Sequence, residues 1–389
     1  MKRILVVAMD FPYPPDHGAA VDIWARILIL AEMGYTVDLL ASVREMPDED
    51  RMQAVRERVG NLWVVRRRCG LRSALSFIPF QVRSRIDLQD VMLGQRYDAV
   101  LLEADYVAAF LENPAARQTK LILRIHNEQV AHFREFAQGT GNWLKKLYYY
   151  SESFKFRFFS HTVMRQCDYL WFISDSDRQE YVRKNPQDDR KSFFLPTHVS
   201  PSALRPYSAS SRTVLFLGTL TISHNVESVA WYIEKIHPLL CDLEGYAFQV
   251  AGRTAGQPIP TLKHLIQQHK NVSLIENPII LDGIYESAAV FVNPVIRGTG
   301  FKVKLIHALL AGLPVVTTSM GVEGTGFKDS IHLLVADTVE EFAGCVRKLL
   351  TDPVLAKSLV CNAQAFLAER YDMKVSMQNI LLEILSQSN

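Results

Sequence analysis

Apolar runs and short polar breaks alternate from the start of the chain. Residues 4–8 form an uninterrupted β-branched run, the pattern of a parallel strand buried on both faces. A loop with three prolines runs from Asp10 to Gly18. Over residues 19–33 the apolar positions Val21, Trp24, Leu28 and Ala31 recur at helical spacing, and Gly34 ends the helix. Residues 36–41 predict a second strand, which completes a βαβ unit.

The plan continues with strands over residues 98–102, 120–125 and 169–173. Ser174-Asp-Ser-Asp177 after the last of these matches a helix cap with an acid at its third position. Residues 195–212 break the composition, with Pro196, Pro201, Pro206 and five serines, and read as a linker. The plan then restarts, with strands over 213–218, 246–251, 272–274, 290–293 and 314–317. Helices are expected over 226–240 and 301–311, the second closed by Gly312. One architecture is used twice. The expected fold class is α/β, with two facing Rossmann-like domains and a cleft between them. The expected boundaries are 1–205, 206–370 and a last helix at 371–389 that packs back on the first domain. Ligands of such sheets bind beyond the carboxyl ends of the strands, so the loops around Gly18 and Gly218 are candidates to line the cleft.

Composition narrows the picture only modestly. The 389 residues are 48% hydrophobic and carry a net charge of +2, which excludes a generally basic nucleic-acid binder. The apolar run at residues 4–9 is too short for a signal peptide, and no window is long and apolar enough to predict a membrane span. Five cysteines without a CxxC pair suit a reducing compartment and no zinc site. A cytoplasmic location is expected.

The densest chemistry lies in residues 293–317. A strand feeds Arg297 and the loop Gly298-Thr299-Gly300, which opens a helix bearing Lys302 and Lys304 in its first turns. Backbone amides at a helix start, glycines that permit close approach and three cations suit an anion, and a diphosphate is the natural ligand. Lys304 and His307 are three apart and share a face. A glycine turn with solvated charges is the plainer alternative.

This segment resembles the retaining glycosyltransferases of family 4, which have the GT-B fold. Arg297, Gly298, Gly300, Lys302, Lys304, Ala308, Gly312 and Pro314-Val-Val316 match the donor-site motif of one variety, and Gly321-Val-Glu-Gly324 matches a later turn. Phe216-Leu-Gly218, Asn225, Ile125-His-Asn-Glu128, the 172–177 segment and the loop ending at Gly18 match in the family's order. The resemblance implies transfer of a sugar, with retention, from a nucleoside-diphosphate-sugar donor to a glycan or lipid-linked acceptor in bacterial cell-surface polysaccharide synthesis. It implies no cofactor and no metal. Arg297, Lys302 and Lys304 would surround the diphosphate, with His126 near the sugar as the further catalytic residue. Gly18, Gly218, Gly298, Thr299, Gly300, His307 and Glu323 would bind the donor. His307 stands where the family usually has glutamate. That departure keeps open a catalytically impaired binder of nucleotide or glycan, and a nucleotide-sugar epimerase of the same fold is a further alternative.

Two features stand outside the motif. Asp-x-Asp occurs at Asp48–Asp50 and at Asp175–Asp177, the second as a helix cap, and neither is expected to hold a metal. Two basic, aromatic stretches contain Arg66, Arg67, Arg68, Arg72, Lys145 and Lys146. They suggest a peripheral position on the anionic inner face of the cytoplasmic membrane. Ordinary packing with a solvated face is the alternative, and nucleic acid is not an expected partner.

Overall fold

The structure is a computed structural model that describes residues 2–386 apart from 16–17, 69, 71–75, 118, 127–128, 200–203, 209–210, 255, 279 and 298–301. The chain divides into two compact units, Met1–His198 with Asp372–Asn389, and Val199–Tyr371.

The first unit is built on a seven-stranded sheet in the order β3-β2-β1-β4-β5-β6-β7, with every neighbouring pair parallel. Its strands are β1 (Arg3–Ala8), β2 (Thr36–Val43), β3 (Leu62–Arg66), β4 (Ala99–Glu103), β5 (Lys120–Ile125), β6 (Tyr169–Phe172) and β7 (Ser192–Phe194). Successive side chains of a strand point to opposite faces. Ile4, Val6 and Ala8 therefore enter one core with Ile23, Ile27 and Leu30, while Leu5 and Val7 enter another with Phe110, Phe133 and Phe156. Burial on both faces explains the unbroken apolar run of β1. The helix Met373–Ser386 adds Met373, Met377, Ile380, Leu381, Ile384 and Leu385 to the first of these cores.

The second unit has a six-stranded parallel sheet in the order β10-β9-β8-β11-β12-β13. These strands are β8 (Thr213–Leu217), β9 (Ala247–Gly252), β10 (Val272–Glu276), β11 (Val290–Asn293), β12 (Val315–Thr317) and β13 (Leu334–Val335). Val214, Phe216, Val290 and Val292 face one core, and Leu215 and Phe291 face the other.

Two expected helices are shorter than their periodicity implied. The second unit's first helix runs over Ser223–Trp231, then widens into a π-helix at Tyr232–Ile236 and tightens at His237–Leu239. Pro238 has no amide hydrogen to continue an α-helix, which accounts for the change of pitch. The helix expected from residue 301 runs over Val303–Leu310, and Phe301 lies outside the described residues.

Candidate active site

In the second sheet β8 pairs with β9 on one side and β11 on the other. The order of strands reverses there, which makes the carboxyl ends of β8 and β11 the switch point where ligands of open α/β sheets bind. The loop after β8 starts at Gly218. A Cβ placed on Gly252, at the end of β9, would stand 1.8 Å from the Gly218 carbonyl oxygen, so glycine permits this approach. Asn225, in the first turn of the Ser223–Trp231 helix, donates from Nδ2 to the Thr219 carbonyl at 3.0 Å. Lys304, in the first turn of the Val303–Leu310 helix, donates from Nζ to Asn225 Oδ1 at 3.1 Å. The same ammonium lies 4.5 Å from the centroid of the Phe216 ring.

Lys302 is buried immediately before this helix. Burial, with repulsion from Lys302, pulls the Lys304 pKa down to about 7. Near neutrality this lysine is therefore only partly charged. An anion placed against it would restore the proton and relieve the repulsion, which is what a phosphate site requires.

The adjoining strand ends are tied by reciprocal hydrogen bonds between Asn293 and Thr317. Asn293 Nδ2 donates to Thr317 Oγ1 at 3.0 Å, and Thr317 Oγ1 donates to the Asn293 carbonyl at 3.1 Å. Gly321 sits so close that a Cβ there would lie 2.1 Å from Thr317 Oγ1. Glu323 follows on this turn and is exposed, as are Arg297 beyond β11 and His307 one turn along from Lys304. The structure thus joins Gly218, Asn225 and Lys304, with Lys302 next to them. Gly298, Thr299 and Gly300 lie outside the described residues.

The first sheet has its own switch point, between β1 and β4. Gly18 opens the helix Gly18–Glu32, whose Asp22 and Arg26 are fully buried. Arg26 makes a two-pronged contact with Glu103 at the end of β4, at 2.8 and 2.6 Å, and a third bond to Asp22 at 2.6 Å. Arg124 of β5 reaches Asp22 at 3.2 Å and also donates to the Leu195 carbonyl. His126, just past β5, has Nε2 3.3 Å from Glu103 Oε2 and Nδ1 3.8 Å from Asp22 Oδ2. Burial works against both carboxylates, but Arg26 and His126, joined at Asp22 by Arg124, together outweigh it and hold Asp22 and Glu103 below their ordinary range. Burial brings Arg124 down to about 10, so it remains charged at neutrality. Two carboxylates and two guanidiniums balance, and His126 stands at their edge. The turn after Glu103 passes through Ala104 at φ 89°, a left-handed conformation that is strained for a residue with a Cβ.

The sequence reading picked out His126 but missed the four charges behind it. Their signal was a charged residue inside an apolar run: Asp22 and Arg26 in the first helix, and Arg124 in Leu-Ile-Leu-Arg-Ile.

The Asp-x-Asp pairs serve helix starts. Asp48 accepts from the Arg51 amide at 2.8 Å, and Asp175 accepts from Arg178 at 3.1 Å and Gln179 at 3.0 Å. Among the described residues no group of three or more His, Cys, Asp or Glu is arranged to hold a metal. The arginine stretch is partly internal. Arg67 contacts Asp10 at 3.1 Å, Arg68 donates to Asp87 at 2.8 Å, and buried Arg85 donates to the Met9 carbonyl at 2.9 Å. Arg66 is exposed at the end of β3, and Arg72 lies outside the described residues. Lys145 and Lys146 are exposed at the start of the helix Trp143–Gln166. No helix among the described residues is long and apolar enough to cross a membrane.

Two parallel, Rossmann-like α/β units of this kind define the GT-B fold. Solved glycosyltransferases share it over their whole length. A Staphylococcus aureus TarM variant, solved with Fondaparinux, alpha-GlcNAc-glycerol and UDP, aligns at TM-score 0.73 and 10% identity over 100% of both chains. WaaG, a glycosyltransferase involved in lipopolysaccharide biosynthesis, aligns at TM-score 0.67 and 14% identity, covering 99% of this chain and 100% of its own. The profile described as "Glycosyl transferases group 1" matches residues 211–352. A Klebsiella pneumoniae relative, the uncharacterized 44.6 kDa protein in the cps region, is 30% identical over 98% of this chain and 100% of its own length. The chain belongs to one family with this Klebsiella protein, and its residues 211–352 match the group 1 glycosyltransferases.

Proposed function

We propose that this enzyme transfers a hexose, with retention of configuration and without a metal, from a nucleoside-diphosphate-sugar to a glycan or lipid-linked acceptor in cell-surface polysaccharide synthesis. The reading takes the chain as a family 4 type enzyme. The observation that carries it is the pair Lys302 and Lys304 at the β8/β11 switch point, with Lys304 held by Asn225 over Phe216. Preorganised cations there would stabilise the charge that grows on the leaving diphosphate as the glycosidic bond breaks. Supporting analogies are the UDP bound by TarM, the role of WaaG in lipopolysaccharide biosynthesis and the cps-region origin of the Klebsiella relative. Arg297 is assigned to the same diphosphate, Gly218 and the loop 298–300 to close backbone approach, and His307 and Glu323 to the ribose and sugar. In the first unit, His126 would meet the sugar and Gly18 would lie near the sugar-phosphate or acceptor.

The test is product analysis with a panel of UDP-, GDP- and ADP-sugars and lipid-linked or oligosaccharide acceptors. The expected product keeps the anomeric configuration of the donor and forms equally in the presence of a chelator. An inverted product, or loss of transfer on chelation, overturns the reading. The exposed imidazole of His307, where a carboxylate is usual for this site, favours one second reading: a nucleotide binder with impaired transfer. It predicts tight binding of one nucleotide without transfer to any acceptor tried.

A further inference from the structure

The helix Trp143–Gln166 is apolar on two opposite faces. One face packs inward: Phe156 and Val163 are buried in the first unit's core, and Phe156 stacks on Phe133 at 5.2 Å. A helix turns about 100° per residue, which puts Trp143, Leu147, Tyr150, Phe154 and Phe158 on one stripe about 80° wide, facing away from Phe156. These residues are exposed by 71, 64, 43, 64 and 61%. The Phe154 and Phe158 rings meet edge to face at 5.3 Å. The stripe runs for about 22 Å. An ordinary surface helix needs one apolar face, so the second is unexplained by folding.

On this helix the exposed charges beside the stripe are of one sign. Lys146 and Arg157 border one edge of it, Arg165 lies beyond its end, and all three are exposed. The helix's sole acid, Glu152, is buried on the far side, where its carboxylate accepts from the Phe80 amide and from Lys155, both at 2.7 Å. It therefore puts no negative charge on the stripe. An aromatic stripe bordered by cations matches an anionic lipid surface: rings enter the headgroup boundary while lysine and arginine pair with phosphates.

We infer that this face of the first unit docks the enzyme on an anionic bilayer, with Trp143, Leu147, Tyr150, Phe154 and Phe158 entering the interface and Lys146 and Arg157 holding lipid phosphates. This contact lies away from the arginines of residues 66–68, of which Arg67 is paired with Asp10 and Arg68 with Asp87. It does not depend on the donor chemistry.

The test is co-sedimentation of the full chain with phosphatidylglycerol/phosphatidylcholine vesicles against pure phosphatidylcholine, in low and high salt. Wild type is expected to bind the anionic vesicles and to lose affinity in high salt. Phe154→Ser with Phe158→Ser should lower binding about tenfold or more, and Lys146→Gln with Arg157→Gln should weaken its salt dependence. Arg66→Ala should bind as wild type does. A readout that leaves the stripe intact is quenching by brominated lipid, which should reach Trp143 and disappear in Trp143→Phe. Equal vesicle binding by wild type and the double phenylalanine variant, or unquenched Trp143, overturns the inference. So does self-association in place of vesicle binding, abolished by the same double variant, which would assign the face to a second copy of the chain.

Discussion

Lys304 and Asn225 are 79 residues apart, yet the lysine's ammonium donates to the asparagine's Oδ1 at 3.1 Å. The bond ties together the first turns of the two helices that follow β8 and β11, and so spans the switch point of the second sheet. Its consequence is electrostatic: a lysine held at a set place, beside another lysine, with a pKa near 7.

That value sets a pH dependence. An unfolded lysine titrates near 10.5, so between about 7 and 10.5 the unfolded chain holds more protons than the folded one. The ligand-free protein should therefore gain stability from this site as pH rises through that window. Binding of a nucleoside diphosphate should run the other way, strongest below pH 7 and weaker as the ammonium loses its proton. Lys304→Arg, which stays charged, should flatten the binding trend. Calorimetric titration at pH 6 and pH 8.5 checks both proteins, and an unchanged slope in the variant refutes the assignment.

Gly252→Ala tests the packing that shapes the donor loop. The new methyl would meet the Gly218 carbonyl at 1.8 Å, against backbone that cannot rotate away. A loss of about 3 kcal/mol or more is expected, at the upper end of overpacking costs. Denaturant unfolding of the variant measures it, and a stability within about 0.5 kcal/mol of wild type would show that the loop moves freely.

The buried cluster of the first unit should govern acid stability. Asp22 and Glu103 titrate below their unfolded values, so their contribution is present above the ordinary carboxylate range and is lost as pH falls through the folded values. Arg26→Met would leave two buried carboxylates short of a partner, at a cost of about 3–5 kcal/mol near neutrality. Thermal unfolding from pH 7 down to pH 3 should show the variant's deficit narrowing as the acids take up protons.

On the proposed function, the role of His126 should be separable from nucleotide binding. His126→Ala should lower transfer by about a hundredfold while leaving nucleotide affinity within about twofold. Glu103→Gln, which keeps the shape but removes the charge 3.3 Å from the imidazole, should lower kcat while leaving nucleotide affinity within about twofold. A kcat equal to that of wild type would reduce Glu103 to a structural partner of Arg26.

The fold was legible where burial and periodicity agree. β1 and β11 show it, because strands covered on both faces are written as unbroken apolar runs. β3 was passed over: Leu-Trp-Val-Val-Arg is a half-buried edge strand, and the arginines after it drew the reading toward surface charge. The site was legible in part. Lys302 and Lys304 follow a glycine loop in sequence, but their relation to Phe216 depends on two strands meeting, which spacing does not encode. The pairing of Arg26 with Glu103, 77 residues apart, was hidden for the same reason. The second apolar face of the Trp143 helix was masked because its inner and outer aromatics interleave along the chain.

The central claim is that the second unit binds a nucleoside diphosphate through Lys304 and its neighbours. The direct measurement is calorimetric titration of UDP, GDP and ADP into wild type and Lys304→Ala at pH 6.5, with melting curves of both proteins. The account predicts that one of the three binds wild type, that its affinity falls about tenfold or more in the variant, and that the variant still melts cooperatively. Equal affinity in the two proteins, or no binding of any of the three to wild type, would contradict it.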